Sequence, residues 1–216
     1  MLIEWYGHSC FRIALENGKK IVFDPFDHTV GYEQPKIEAN YVLESHQHFD
    51  HNSPDTLKGN FEIIKAPGEY NFEGLQVKGH ETFHDKEQGA LRGKNIIFTL
   101  QAEGIVVCHM GDIGSVPSEE LYEKIGPVDI LMIPIGGNYT IDAKEAFEII
   151  NRMQPNITLP MHYKTMQTDM DIETIYPFLE LATGYFDISR NGANSITVTK
   201  DQLKKRSRIT VLEYNS

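Results

Sequence analysis

The chain has 216 residues, a length that suits one domain with a sizeable buried core. Its 20 basic residues face 31 acidic ones, and the formal net charge of −11 argues against nucleic-acid backbones and anionic membranes as partners. No stretch approaches the ~18 apolar residues of a membrane span, and Met1-Leu2-Ile3-Glu4-Trp5 lacks the basic-then-apolar order of a signal peptide, so a cytoplasmic protein is expected.

Along the first half, apolar or alternating runs predict strands over residues 2–5, 11–15, 20–24, 41–44, 61–65, 75–78, 95–100 and 105–109. Asn17-Gly18 is a hairpin turn signal between the second and third. Ser53-Pro54-Asp55 opens a short helix over 53–59. The second half alternates. Helices are expected over 118–125, 143–153 and 171–181, and strands over 129–133, 156–159, 195–199 and 209–213. Glu119 and Glu120 suit a helix start. Cys10 and Cys108 are expected in separate apolar strands and read as buried thiols. Lys204-Lys205-Arg206 and Arg208 read as a solvated loop or a protected strand edge.

One stretch carries chemistry. Residues 45–51 read Ser-His-Gln-His-Phe-Asp-His, which places His46, His48, Asp50 and His51 within six residues. Imidazole and carboxylate together suit zinc, manganese or iron. A helix does not explain the spacing, because residues two apart on a helix point about 200° from each other. At a strand end, His46 and His48 face the same way. The turn that follows can aim Asp50 and His51 at a second point nearby, so the segment suits a pair of adjacent metals.

His-x-His-x-Asp-His after Tyr41-Val42-Leu43 resembles the signature of the metallo-β-lactamase-fold hydrolases. His84, Asp112 and His162 follow in that family's order, each after a strand-like run. Gly7-His8-Ser9-Cys10-Phe11, Asp24-Pro25-Phe26, Pro134-Ile135-Gly136-Gly137-Asn138-Tyr139-Thr140 and Pro160-Met161-His162-Tyr163 resemble the branch that holds ascorbate-phosphate lactonases and many uncharacterised hydrolases. The resemblance implies a single α/β (α+β) domain over 1–216, an αββα sandwich of two mixed sheets with helices on the outer faces. It implies that His46, His48 and His84 hold one divalent ion, that Asp50, His51 and His162 hold a second, and that Asp112 bridges them. Zinc is the first choice, with manganese or iron as alternatives. Two carboxylates bring the pair of ions from about +4 to about +2, so bound water ionises near neutral pH. Asp50, Asp112 and His8 are the expected catalytic residues.

Around the ligands, Asp24, Asp85 and His109 are candidates to orient them by hydrogen bonding. Arg92 and Lys94, in a glycine-flanked loop after His84, are candidates to hold an anionic group. Asn138, Tyr139 and Lys164 are further substrate contacts, with Tyr139 and Lys164 as donors to an oxyanion. His28 and His80 are expected to be exposed bystanders. The function expected is hydrolysis of a small ester, lactone or phosphodiester by a metal-activated hydroxide, with a small-molecule substrate and neither nucleic acid nor membrane as partner. A sensor or structural module that merely binds metal, and a mono-iron redox enzyme, are the alternatives.

Overall fold

A computed structural model describes residues 1–190, 192–204 and 207–214, without the side chain of Lys204. Lys205 and Arg206, the centre of the basic run, lie outside the described residues.

The strands form two mixed sheets, the fold class expected. The first holds β1 (Leu2–Trp5), β2 (Phe11–Ala14), β3 (Lys20–Phe23), β4 (Tyr41–Leu43) and β5 (Glu62–Ile64), with β13 (Ser195–Thr197) beside β1. The second contains β6 (Gly68–Phe72), β7 (Leu75–Phe83), β8 (Lys94–Ala102), β9 (Ile105–His109), β10 (Ile130–Pro134), β11 (Ile157–Met161), β12 (Asp187–Arg190) and β14 (Arg208–Val211). Its order is β12-β14-β11-β10-β9-β8-β7-β6. Ile3, Trp5, Phe11 and Ile21 of one sheet and Phe98, Leu100, Val107 and Ile130 of the other belong to one continuous buried cluster. Helix α1 (Glu119–Ile125) starts on Ser118, whose hydroxyl accepts from the Leu121 N–H. In α2 (Ala143–Met153), Asp142 and Glu145 form a reciprocal capping box. Among the described residues no helix is long and apolar enough to cross a membrane.

Strand direction positions the site. In the first sheet β1 and β3 are both antiparallel to β2, and β4 is parallel to β3. The C-terminal ends of β1, β3 and β4 therefore share one edge. In the second sheet β7 and β9 are both antiparallel to β8, while β9, β10 and β11 are parallel. Four of their ends likewise share one edge. His8, Asp24, His46, His84, Asp112 and His162 each follow one of these strand ends. Two backbone bonds tie the edges together, Ile96 N–H to Ser45 O at 2.8 Å and His162 N–H to His8 O at 3.2 Å.

Several elements differ from expectation. The helix expected over 171–181 is confined to α3 (Tyr176–Ala182). Residues 171–174 are held out of the helix, because Glu173 donates to Gly136 O and accepts from Lys164 N–H. Pro177, tolerated only in a first turn, then marks where the helix begins. Pro54–Thr56 forms a single 3-10 turn in place of a longer helix. Strands β6 and β12 were not expected. Cys10 and Cys108 are both buried free thiols, Cys10 just ahead of β2 and Cys108 within β9.

Candidate metal centre

The ligand atoms of the candidate residues fall into three overlapping groups, each within 4.8 Å. One is His46, His48 and His84. A second is Asp50, His51 and His162, joined by His8. The third, His46, His51 and Asp112, shares a member with each of the others. Asp112 Oδ2 lies 3.1 Å from His162 Nε2, 3.2 Å from His51 Nε2, 3.4 Å from His84 Nε2 and 4.0 Å from His46 Nε2. Asp50 Oδ2 stands 3.2 Å from His8 Nε2 and 3.6 Å from His51 Nε2.

These residues fit a bound cation. Nε2 of His46, His51 and His162, Nδ1 of His84 and both carboxylate oxygens of Asp112 are buried without a hydrogen-bond partner. Buried polar atoms left unpaired cost ~1–3 kcal/mol each. Divalent ions among them would turn that cost into coordination, and the imidazole and carboxylate donors suit zinc-like metals.

Asp24 organises the donors. Fully buried, it accepts from Ser45 N–H at 2.7 Å, from Ser45 Oγ at 2.7 Å and from His51 Nδ1 at 2.8 Å. Since the Ser45 hydroxyl proton points at Asp24, Ser45 Oγ accepts from His46 Nδ1 at 3.0 Å. One carboxylate thus sets the tautomer of two histidines and leaves Nε2 of each free for metal. His109 acts on the loop instead. It donates from Nε2 to Ser9 O at 2.9 Å and accepts at Nδ1 from Gly111 N–H at 3.1 Å. Asn95 completes the support, its amide donating to Met110 O and its oxygen accepting from Asp112 N–H, both at 2.9 Å. A side chain at Gly111, where φ is +55°, would collide with Asn95 and Ser45. His8, Asp24 and His162 also have positive φ (+50°, +44° and +51°), a conformation that costs non-glycine residues about 1–3 kcal/mol and collects at functional sites. Ser45 and Asn95 were not singled out by sequence. Polar residues of this kind have no signature until their partners are known.

The charges are interlocked. Burial alone would discharge His51, but Asp112, Asp50 and Asp24 hold its pKa well above the ordinary imidazole value. Burial and the nearby His51 push His46 well below it, and burial likewise lowers His84. His8 is lowered to about 4 by burial and by His162. Asp112 stays ionised against its burial because His162 and His51 face it. The sign of the pH dependence in metal-free protein follows. The stabilising charge on His51 is fully present below the unfolded value of ~6.5 and is lost as pH rises through its higher folded value. Buried neutral His8, His46 and His84 act oppositely and destabilise the fold as pH falls below ~6.5. Metal-free protein should therefore be most stable near neutrality and lose melting temperature toward pH 9, whereas added zinc should remove the alkaline loss. Thermal unfolding across that range checks it, and an alkaline gain in metal-free protein contradicts this charge assignment.

The remaining candidates lie around the cluster. Asp85 does not face the metal groups. Its carboxylate accepts from the N–H groups of Glu87, Gly89, Leu91 and Arg92 at 2.7–3.0 Å and shapes the loop after β7. That loop sets Arg92 over the Tyr139 ring at 5.3 Å. Arg92 lines two cavities at the cluster. One, about 310 Å³, includes His84, Asn138 and Tyr139; the other, about 380 Å³, includes His46, His48 and Lys94. The Asn138 side chain donates to Asp171 O at 2.7 Å and pins its own loop. Lys164 is not brought to these cavities. Its Nζ donates to Met170 O at 3.0 Å, and it borders a separate space beside Trp5 and Tyr163. His28 is exposed, and His80 is half-buried in β7 with Nε2 3.3 Å from Thr99 Oγ1.

The sequence profile of the β-lactamase superfamily domain matches residues 2–162. The chain belongs to the metallo-β-lactamase superfamily. A UPF0173 metal-dependent hydrolase of Carboxydothermus hydrogenoformans is 34% identical, the match covering 76% of this chain and 85% of the relative. A crystal structure of a metallo-β-lactamase superfamily protein from Thermotoga maritima superposes with a TM-score of 0.80 at 38% identity, over 98% of this chain and 97% of that one. An isothiocyanate hydrolase from Delia radicum gut bacteria shares the fold alone, at 12% identity and a TM-score of 0.70, over 100% of this chain and 98% of that one. The protein is thus a metal-dependent hydrolase of the metallo-β-lactamase superfamily, with a buried cluster of histidines and aspartates able to bind metal.

Proposed function

We propose that this superfamily member hydrolyses a small ester, lactone or phosphodiester at a pair of zinc ions, one held by His46, His48 and His84, the other by Asp50, His51 and His162, with Asp112 between them. The observation that carries this is the reach of Asp112 Oδ2 to imidazoles of both groups, with its oxygens otherwise unpartnered. Bound divalent ions supply Lewis acidity to the carbonyl or phosphoryl oxygen and make a water nucleophilic near neutral pH. The chain's own residues supply order and proton traffic. Asp24 fixes His46 and His51 with their lone pairs inward. Asp50, kept ionised by His51 and His8 despite its burial, is placed to take a proton from the attacking water. His8, bonded to Asp50, is placed to return that proton to the leaving oxygen. The same reading makes residues 1–216 one cytoplasmic domain that acts on a small molecule, and the net charge of −11 supports the absence of a nucleic-acid or membrane partner.

The test is turnover of bis(p-nitrophenyl) phosphate and of a panel of simple lactones, with zinc or manganese added and elemental analysis of the same samples. Turnover of at least one class, about two metals per chain, and loss of activity with a chelator are expected. Fully loaded protein inert on every class removes the hydrolytic reading of this substrate range.

A further inference from the structure

The cavity beside His46 and His48 has an unusual electrical character for so acidic a chain. Lys65, Arg92 and Lys94 line its walls, with Glu81 as the sole acidic side chain among the lining residues. Glu81 is already engaged, its Oε2 2.8 Å from Lys94 Nζ. Neither Lys65 nor Arg92 is within ion-pair distance of a carboxylate among the described residues. Lys65 only feels the field of the buried Glu44, whose own carboxylate accepts from Gln47 at 3.0 Å. In a chain of 31 acids and 20 bases, two unpaired cations that converge on one cavity call for an explanation.

The two approach from different sheets, and Arg92 is held in place. Lys65 directly follows β5, the edge strand of the six-stranded sheet. Arg92 approaches from the other sheet, on the loop that Asp85 fastens by four backbone N–H groups. Its guanidinium is half-buried and stacked on Tyr139, so one face is covered while the planar fork keeps its donors at the edge. A guanidinium whose orientation is fixed before binding loses little entropy when it grips an oxyanion.

We infer that this cavity of about 380 Å³ seats an oxyanion of the substrate, a carboxylate or a phosphate group remote from the bond that breaks, gripped by Arg92 and Lys65 from opposite sheets. The inference rests on the hydrolytic reading for its location, since the cavity shares His46 and His48 with one ligand group. It narrows the substrate class to anionic molecules, with the charge on the three-histidine side of the centre. Lys94, tied to Glu81, adds to the field without a direct grip.

Three ligands of one chain length test it on metal-loaded protein by calorimetry, without turnover. Butyrate offers one carboxylate to the metals. Glutarate and 4-phosphonobutyrate add a second carboxylate or a phosphonate at the far end. At least one of these two should bind about 10-fold more tightly than butyrate, and the tighter one identifies the oxyanion. Arg92→Gln and Lys65→Gln should each reduce that gain severalfold and together erase it, with butyrate affinity and metal content unchanged. Lys65 is exposed, so its variant keeps the test valid if Arg92→Gln fails to fold. Equal affinity for all three ligands, or a gain that survives the double substitution, overturns the subsite even if neutral esters are hydrolysed. A gain lost on double substitution, in protein that hydrolyses nothing, upholds the subsite while the hydrolytic reading falls.

Discussion

Alanine at position 112 should empty the centre of most of its metal. Asp112 Oδ2 stands 3.1–3.4 Å from His162, His51 and His84, which belong to two different ligand groups. Without that oxygen, neither ion of the proposed pair would have a shared anionic donor, and repulsion between the two would go unscreened. Metal content should fall from about two per chain to below one, and turnover by about 10³-fold, equivalent to about 4 kcal/mol of transition-state stabilisation. The fold should survive, because the bond that anchors this loop to Asn95 uses the Asp112 backbone N–H and not its side chain. Asp112→Asn, with one oxygen retained, should fall between the two in metal content. Elemental analysis beside circular dichroism gives the answer. Full occupancy in the alanine variant would falsify the bridging position.

The second large effect is expected at Asp50. Its carboxylate is buried at the rim of the cluster, 3.2 Å from His8 and 3.6 Å from His51. It packs in neither apolar cluster, so Asp50→Ala removes charge without opening a cavity in the core. Turnover should drop by about 10²-fold or more, chiefly in kcat, because the proposed proton acceptor and one proposed metal ligand are lost together. The three-histidine group should still bind metal. A folded, metal-analysed Asp50→Ala protein that turns over as the parent does would remove Asp50 from the chemistry.

The two regions of the chain differ in how openly they announce themselves. His46 to His51 is legible because one strand exit carries four donors, and the strands before it are apolar enough to find. His84, Asp112 and His162 became legible through resemblance, since a lone histidine or a Gly-Asp turn carries no metal signal by itself. Ser45 and Asn95 stayed hidden. Their value lies in both ends of a short polar side chain finding partners from distant segments, which one-dimensional spacing does not encode. Asp85 looked like a residue that orients His84 because it follows it directly, yet the loop it closes claims all its acceptor capacity. Among the strands, β12 escaped notice because its residues are all exposed at a sheet edge, with no alternation to read. Strand β6 is Gly-Glu-Tyr-Asn-Phe, a short strand at the opposite edge with Tyr70 and Phe72 half-buried and the rest exposed. The helix expected from residue 171 failed through competition, as Gly136 and Lys164 recruited its first backbone groups.

The proposed ligands come from both halves of the sandwich. His46, His48, Asp50 and His51 follow a strand of the six-stranded sheet, and His84, Asp112 and His162 follow strands of the eight-stranded sheet. An ion held there would act as a rivet through two plates. Prying the plates apart means releasing it, so the resistance of the whole fold to unfolding grows with the logarithm of free metal concentration above the dissociation constant. Cellular metal supply would then govern how long each molecule lasts as well as how fast it works, and starvation for the ion would thin the population before it slowed the survivors.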